Sequence, residues 1–315
     1  MMRIIGQINL GGRDRDFHGP NYFDAFEQLG HEVTIVDHEA PLPDGEYSLF
    51  FHFYHSIGMD KIDTLKSRGI TTVLLVGDEP CEFFRTKDFT NKYNIVFNQT
   101  GGPDNIESHR ALGANMYPLP HCTNPSTYHP VELSDDDRRK YGADISFIGS
   151  LRTPGIRNDR LWIRKDLFPG LNFRMWGPGT ENDRWIYPEE CNKIYAASKV
   201  IWNPSAVADQ PDWDLRFPTL LGGPACRIFN TAAAGAFQLA PSREDWYFQP
   251  FTNAEIVYYN HSDTGDLINL VNKYVNDDDG RRLIANAGRD RVLADHTYVN
   301  RAKVVIDKVL EYRGM

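Results

Sequence analysis

Short apolar segments with the character of buried strands alternate with amphipathic segments along most of the chain. Residues 71–76 predict a strand because apolar and β-branched side chains follow one another there, and residues 4–10 are a second candidate. Residues 21–29 carry apolar side chains at helical spacing, and Gly30 stands where such a helix ends. This alternation is typical of an α/β protein with a parallel sheet covered by helices on both faces.

The same patterns extend this prediction along the rest of the chain. Further strands are predicted at residues 33–36, 48–53, 94–98, 144–148, 172–176, 200–203, 237–239 and 256–259. Further helices are predicted at residues 59–67, 160–167, 189–197, 228–234, 264–275, 279–296 and 298–312.

A proline-rich segment divides this alternation into two halves. Residues 118–130 contain four prolines, and proline continues neither a helix nor a central strand. We therefore predict one domain at residues 1–130 and a second at residues 131–297. Because open parallel sheets bind ligands beyond the carboxyl ends of their strands, a ligand site in a cleft between the two domains is expected.

Composition narrows the classes of protein. The 315 residues suit two domains, and 34 basic against 43 acidic residues leave a net charge of −9. This acidic balance disfavours DNA or RNA as the main partner, although it leaves room for a local basic cleft. No apolar run predicts membrane insertion, and neither the start of the chain nor its four dispersed cysteines indicate export, so a cytoplasmic location is expected.

Residues 227–239 combine an arginine, an amide, several small side chains and a short apolar run. One interpretation is a helix whose amino end, with Arg227, binds a phosphate, followed by a turn into a strand. The other is a tightly packed connection between helix and strand that binds no ligand. The segment by itself favours neither.

Residues with suitable chemistry follow the predicted strands of the second half. Gly149, Ser150 and Arg152 offer close backbone approach, a hydroxyl and a guanidinium to an anion, and Arg157 is a further candidate. Trp176 and Gly177 follow the next strand; the indole suits stacking on a base, but a large aromatic side chain at a strand end more often packs in the core. Carboxylates in the long irregular stretch after Asn203 lack the pattern of a calcium loop, so no metal site is predicted.

The first half offers candidates for the acceptor side. Gly12 and Arg13 follow the first strand without the glycine pattern of a nicotinamide enzyme. His18 precedes the first helix, where it suits either a base for an acceptor hydroxyl or a residue that flanks the helix. Asp78 follows the strand 71–76 beside Glu79, and is either a base or a turn residue.

Several segments resemble, in order, the glycosyltransferases related to the bacterial spore-maturation protein B, within the GT-B superfamily of two Rossmann-like domains. Arg227-Ile-Phe-Asn-Thr-Ala-Ala-Ala-Gly235 is similar to the family motif Arg-X-Phe-Glu-X-X-Ala-X-Gly. The other segments that carry the resemblance are residues 144–150, 195–203, 285–293 and 296–301, with weaker matches at residues 30–33, 78–80 and 119–130.

The resemblance implies transfer of a hexosyl or pentosyl group from a nucleotide-diphosphate sugar, expected to be UDP-linked, without a metal or cofactor. The C-terminal domain would bind the donor, and the helix at 298–315 would cross back to the first domain. In the family motif a glutamate holds the ribose hydroxyls; Asn230 stands at that place and keeps hydrogen-bonding capacity without charge. The residues expected to bind the donor are Gly149, Ser150, Arg152, Arg157, Trp176, Gly177, Asn203, Arg227, Asn230, Ala234 and Gly235.

Asp78 and His18 are the candidate catalytic residues, and Gly12, Arg13 and His121 are assigned to the acceptor side or the hinge. The acceptor hydroxyl could belong to a glycan, a protein, a lipid-linked molecule or a modified base in phage DNA; the net charge disfavours the last. Asn230 keeps open a second hypothesis, a catalytically inactive nucleotide- or sugar-binding protein on the same fold. An unrelated two-domain α/β binding protein is the third.

Overall fold

The computed structural model describes residues 1–8, 18–53, 61–77, 79, 82–151, 163, 165–204, 223–242, 249–260 and 263–314. The chain forms two compact units, one made of Met1–Pro120 with Tyr298–Met315 and one made of His121–Thr297. The units therefore divide between Pro120 and His121, whereas the sequence analysis places the domain boundary at residue 130.

The described strands follow the sequence order of an α/β protein. They are β1 (Arg3–Ile8), β2 (Glu32–Asp37), β3 (Leu49–Phe53), β4 (Thr71–Val76), β5 (Ile95–Asn98), β6 (Met116–Pro118), β7 (Ala143–Ile148), β8 (Phe173–Trp176), β9 (Ser198–Trp202), β10 (Gln238–Ser242) and β11 (Val257–Asn260). The described α-helices are α1 (Gly19–Gln28), α2 (Ile62–Ser67), α3 (Phe83–Thr86), α4 (Pro103–Ala111), α5 (Asp135–Tyr141), α6 (Pro188–Ala197), α7 (Cys226–Ala233), α8 (Thr264–Val275), α9 (Asp278–Asp295) and α10 (Tyr298–Tyr312).

The first unit contains a parallel sheet in the order β2-β1-β3-β4-β5-β6. Every residue of β4 is buried, as expected for a strand in the middle of a sheet covered on both faces. On one face Phe50 and Leu74 pack into an apolar cluster with α2. On the other face Phe26 of α1 packs edge-on against Phe51, and α10 lies against α1.

The second unit contains a parallel sheet in the order β11-β10-β9-β7-β8. One face carries a core that includes Phe147, Trp202 and Leu239 and extends onto α8. The other face carries apolar clusters against α6 and α7, in which Phe229 is fully buried. The predicted α/β architecture with parallel, doubly covered sheets is thus confirmed.

The observed elements follow the predicted pattern, with four additions. β6, α3, α4 and α5 are absent from the prediction. Half of the predicted helix at residues 160–167 lies outside the described part of the chain, and Lys165–Leu167 form a short 3-10 helix. α5 begins with a capping box in which Ser134 Oγ accepts from the Asp137 backbone N–H and the Asp137 side chain accepts from that of Ser134. Within the described residues, no helix is long and apolar enough to cross a membrane.

Candidate functional site

Three strand ends meet at one edge of the second sheet. β7 pairs with β8 on one side and with β9 on the other, so the residues that follow these strands lie side by side. They are Gly149 after β7, Gly177 after β8 and Asn203 after β9. The carboxyl edge of a parallel sheet is where α/β proteins bind their ligands.

Gly149 and Gly177 form a close backbone contact at this edge. The Gly149 N–H donates a hydrogen bond to the Trp176 carbonyl oxygen over 2.8 Å. A Cβ atom at residue 177 would lie 2.5 Å from the Gly149 carbonyl oxygen, and φ of Gly177 is +124°. Both observations require glycine at position 177, because a side chain would meet backbone and would strain the chain.

Arg227 lies in the first turn of α7 and reaches the same edge. Its Nη1 donates to the Ile148 carbonyl oxygen at 3.2 Å and its Nη2 to that of Pro204 at 3.1 Å. The guanidinium carbon is 5.7 Å from the centre of the Phe147 ring. A Cβ at Gly149 would lie 2.5 Å from Nη1, so the glycine makes room for the arginine. Together these contacts fix a positive charge beside the ends of β7 and β9.

The amino end of α7 adds a second positive element. Ala225 is its N-cap, and alanine offers no side-chain acceptor to the first-turn N–H groups. The first turn also contains no acidic residue. The helix dipole and the backbone donors therefore act in the same sense as Arg227, and the pair suits a phosphate or diphosphate.

Asn230 lies one turn along α7 from Arg227 and is half-buried. Its Oδ1 accepts a hydrogen bond from the Thr123 hydroxyl at 2.8 Å. Thr123 is itself held, because its backbone N–H donates to the His296 carbonyl oxygen at 3.0 Å. Thr123, which the sequence analysis does not single out, thus sets the orientation of the Asn230 amide.

Asn203 holds α7 on the sheet. Its Nδ2 donates to Thr231 Oγ1 at 3.2 Å and to Gln238 Oε1 at 2.6 Å. Gln238 in turn donates from Nε2 to the Ile228 carbonyl oxygen at 2.8 Å. Asn203 is 4% exposed, so the structure gives this predicted donor-binding residue a supporting place behind α7.

One predicted donor-binding residue, Trp176, needs correction. Trp176 is 1% exposed, donates from Nε1 to Ser146 Oγ at 3.3 Å and packs against Tyr141, so its indole cannot stack on a base. Ala234 and Gly235 lie at the carboxyl end of α7, where Gly235 has φ +71°. The part of Ala234 and Gly235 in donor binding stays a prediction.

The remaining predicted site residues divide into described and undescribed ones. Ser150 is half-buried beside Gly149, and His121 is 8% exposed at the start of the second unit. The other predicted residues lie outside the described part of the chain: Gly12, Arg13, Asp78, Arg152 and Arg157.

Two tyrosines lie behind the Arg227 edge. Burial raises the pKa of Tyr195 well above its ordinary value, and burial also raises the pKa of Tyr259, while the charge of Arg227 acts weakly in the opposite direction on both. Tyr259 Oη accepts from Trp202 Nε1 at 3.2 Å. Both phenols are therefore neutral at physiological pH, so neither carries a negative charge that would offset the positive charge of Arg227.

In the first unit, His18 precedes α1 and is held in place by two aromatic residues. Its Nδ1 lies 2.7 Å from Tyr298 Oη. Its ring stacks on Phe53, the last residue of β3, with centroids 6.1 Å apart and planes 4° apart. His18 thus lies at the carboxyl end of β3, on the same edge of the sheet as the end of β4.

Glu79 lies just beyond β4 and has no exposed surface. Its carboxylate accepts hydrogen bonds from Thr86 Oγ1 at 2.5 Å and from Asn105 Nδ2 at 3.0 Å, and His109 Nε2 is 3.6 Å away. These contacts join the end of β4 to α3 and α4. In the sequence Glu79 stands out only as the neighbour of Asp78, and its long-range partners Asn105 and His109 give no local signal.

Comparison with protein families gives a match to the second half of the chain. Residues 157–307 match the model of a family described as glycosyl transferase-like. The match includes α7 with Arg227 and Asn230, and continues through α9 into α10. This segment of the chain is glycosyl transferase-like. Comparison with curated protein sequences gives no significant match, and the subfamily of the spore-maturation protein B stays a prediction.

Solved structures identify the fold of the chain as GT-B. Sucrose-phosphate synthase from Thermosynechococcus elongatus is similar over 100% of both chains, with a TM-score of 0.66 at 12% identity. HepE from Anabaena, in complex with UDP and glucose, has a TM-score of 0.61 at 12% identity, over 99% of this chain and 100% of the other. An α-glucosyltransferase in complex with UDP and a 13-mer DNA containing an HMU base has a TM-score of 0.60 at 12% identity, over 98% and 99%.

Within the described residues, no group of three or more His, Cys, Asp or Glu side chains is arranged to hold a metal ion. The positive groups that the described site does offer are Arg227 and the amino end of α7. Metal independence stays a prediction.

Proposed function

We propose that the protein is a glycosyltransferase that takes its sugar from a nucleoside-diphosphate sugar bound at the carboxyl edge of the second sheet, with UDP as the nucleotide. The observation that carries the proposal is the convergence of Arg227, the uncapped start of α7 and the Gly149–Gly177 contact on one edge. The UDP complexes of HepE and the α-glucosyltransferase, on the same fold, support the choice of nucleotide.

The diphosphate would lie against the first turn of α7. Backbone N–H groups there would donate to phosphate oxygens, and Arg227 would contribute its charge from the side of β7. Gly149 and Gly177 leave the strand ends without side chains, so the diphosphate can approach the backbone. Ser150, with Arg152 and Arg157, would complete the phosphate side of this site.

The ribose would lie beside Asn230. Thr123 donates to Oδ1 of Asn230, which directs the two hydrogens on Nδ2 to the nucleotide. Ribose hydroxyl oxygens would accept them, whereas a glutamate at this position would accept hydrogens from the ribose. Asn230 is therefore compatible with an active enzyme, with weaker binding of the diol than a charged carboxylate gives.

In the reaction, the bond between the anomeric carbon and the phosphate oxygen breaks and its electron pair goes to the nucleoside diphosphate. Arg227 and the α7 dipole stabilise the negative charge that develops on this leaving group, and we propose that they do so without a metal ion. The acceptor oxygen bonds to the anomeric carbon and loses its proton. His18 and Asp78 are the acceptor-side residues that we propose to assist this step.

The proposal is tested by calorimetric titration with UDP, ADP, GDP and UDP-sugars, followed by donor hydrolysis with and without EDTA. We expect UDP to bind most tightly and EDTA to leave hydrolysis unchanged. Absence of binding by every nucleotide would remove the proposed site. Binding without hydrolysis or transfer would favour the inactive binding protein.

The acceptor class is tested with the same enzyme and a labelled donor. We propose a hydroxyl on a glycan, a protein or a lipid-linked molecule, because the net charge of −9 opposes association with DNA. Hydroxymethylated DNA serves as the contrasting acceptor, and transfer to it alone would overturn this choice. The separated cysteines support a cytoplasmic location as part of the same proposal.

A further inference from the structure

His18 and Tyr298 form a hydrogen-bonded pair in the first unit. The two residues are 280 positions apart in the chain, yet Nδ1 of the imidazole lies 2.7 Å from the phenol oxygen. We propose that Tyr298 is a positioning residue, which holds Nδ1 of His18 so that Nε2 accepts a hydrogen bond from the acceptor hydroxyl. The inference rests on the proposed function, in which His18 belongs to the acceptor side.

Tyr298 is well placed to hold another side chain. It is 7% exposed, and its ring packs edge-on against Tyr22 of α1, with centroids 5.1 Å apart and planes 89° apart. Arg301, one turn further along α10, donates from Nε to the Pro120 carbonyl oxygen at 2.7 Å. The start of α10 is therefore anchored at both the ring and the next turn, and the phenol oxygen has a defined position.

The His18 ring is restrained in its other degrees of freedom by Phe53. The near-parallel stack, with an interplanar angle of 4°, fixes the ring plane, and the hydrogen bond to Tyr298 fixes rotation within that plane. A catalytic or binding imidazole needs this kind of preorganisation, because a small displacement at the reacting atoms costs much of the rate.

The chemistry of imidazole gives Tyr298 a specific role. When Nδ1–H donates to Tyr298 Oη, the lone pair of neutral His18 is on Nε2, which then accepts a hydrogen bond. If His18 takes up the acceptor proton at Nε2, Nδ1–H still donates to the same oxygen. In the proposed arrangement Nδ1–H is the donor and the phenol oxygen the acceptor, and this hydrogen bond persists through protonation.

The experiment compares Tyr298→Phe, which keeps the ring and removes the hydroxyl, with the wild type. The ¹⁵N spectrum of the His18 imidazole, assigned with a His18→Gln variant, should show the Nδ1–H tautomer in the wild type and a mixture in Tyr298→Phe. We expect kcat/KM for the acceptor to fall about tenfold, less than the roughly 10²–10⁴-fold that a positioned proton acceptor contributes, because His18 itself is still present. Donor affinity should be unchanged.

Tyr312→Phe is the matched control. Tyr312 is at the other end of α10, and its hydroxyl accepts a hydrogen bond from Asn94 Nδ2 at 2.8 Å. This variant should leave the His18 spectrum and the acceptor kinetics as they are in the wild type.

A wild-type spectrum with the proton on Nε2 would overturn the inference, even if Tyr298→Phe fails to fold. An unchanged His18 spectrum in a folded Tyr298→Phe variant would do the same. The spectrum requires no nucleotide, so failure of UDP to bind would count against the proposed function alone. Binding of UDP with the wrong tautomer would count against Tyr298 alone.

Discussion

Arg227 Nη1 donates a hydrogen bond to the Ile148 carbonyl oxygen across 3.2 Å, which ties the first turn of α7 to the end of β7. Nη2 reaches Pro204 beyond β9, so one guanidinium spans two strand ends. A carbonyl oxygen at a strand end and a phosphate oxygen are both acceptors for the same fork. Arg227 therefore both fixes the geometry of this edge and gives it a positive charge.

Replacement of Arg227 by lysine is predicted to keep the charge and lose this geometry. Lysine has a single ammonium group and cannot span two carbonyl groups with a planar fork. We expect UDP affinity to fall about tenfold in Arg227→Lys and about a hundredfold in Arg227→Ala, as expected for loss of charge-assisted hydrogen bonds of about 1.5–3 kcal/mol each. Isothermal titration calorimetry measures both.

Arg174→Lys is the control for Arg227→Lys. Arg174 lies in β8 of the same sheet, with its guanidinium carbon 4.4 Å from the centre of the Trp176 ring. Arg174→Lys should change the unfolding free energy slightly and leave UDP affinity unchanged. Equal loss of affinity in the two lysine variants would show that Arg227 acts only through the fold.

The two glycines at the edge should differ in their response to alanine. Gly177→Ala brings a Cβ within 2.5 Å of the Gly149 carbonyl oxygen at φ +124°, where only backbone can move. Gly149→Ala brings a Cβ within 2.5 Å of Arg227 Nη1, where a side chain can withdraw. We expect Gly177→Ala to cost about 3 kcal/mol of unfolding free energy, from strain and contact together, and Gly149→Ala about 1 kcal/mol.

Denaturant unfolding of both variants measures the two losses of unfolding free energy. Calorimetry with UDP measures the two losses of UDP affinity. Gly149→Ala should weaken UDP binding more than its small effect on stability suggests, because it displaces Arg227. The reverse order of stability would mean that the Gly149–Gly177 contact is more tolerant than its geometry indicates.

Asn230 is predicted to recognise ribose. Wild-type protein should prefer UDP to 2′-deoxy-UDP and 3′-deoxy-UDP, and Asn230→Ala should bind all three with similar affinity. The expected loss for UDP is about tenfold, the size of one or two neutral hydrogen bonds. Competition binding with the three nucleotides measures this selectivity.

Thr123→Val separates the orientation of Asn230 from its presence. The Thr123 hydroxyl donates to Oδ1 at 2.8 Å, and valine removes that donor while keeping the shape. We expect part of the ribose selectivity to be lost in Thr123→Val and no further loss when Asn230→Ala is added. Full selectivity in Asn230→Ala would place the ribose elsewhere.

The Glu190 contact between α6 and α5 should give the second unit a pH dependence. The hydrogen bond from Arg184 has the largest effect on the pKa of Glu190 and lowers it, and the hydrogen bond from Tyr141 lowers it further. The folded protein therefore binds this proton more weakly than the unfolded chain. The stabilisation is present above the ordinary carboxyl pKa of about 4.3 and is lost as pH falls through the lower folded value.

Glu190→Gln is thus predicted to reduce the unfolding free energy at pH 7 by about 0.5–1 kcal/mol. The difference from wild type should shrink as pH falls below the ordinary carboxyl pKa. Glu189→Gln, at the exposed neighbouring position, serves as the control without this contact. A difference that grows in acid would mean that the pKa shift has the opposite sign.

The sequence predicts much of the scaffold because burial on both faces leaves a clear pattern. The apolar residues of β4 and the polar residues beyond it mark a strand and its carboxyl end without ambiguity. Gly149 and Arg227 could therefore be placed on one edge from sequence order and fold class. α4 and α5 escaped prediction because their sequences are polar and carry little apolar periodicity.

Side-chain direction is harder to predict than strand position. Trp176 ends a strand of four residues, too short to reveal which face another helix covers, and it points into the core with Tyr141. Tyr298 and His18 are in contact although they are 280 positions apart in the sequence. Local sequence patterns contain no information on such a pair.

The most direct test of the nucleotide site uses the cysteine at its centre. Cys226 is the first residue of α7 and is half-buried, whereas Cys191 is buried with its pKa raised to about 12, so that it resists alkylation at pH 8. Peptide mass spectrometry follows iodoacetamide labelling of each. The account predicts that saturating UDP protects Cys226 in wild-type protein and fails to do so in Arg227→Ala at the same concentration. Unchanged labelling of Cys226 in the wild type, with UDP bound by calorimetry, would contradict the proposed site.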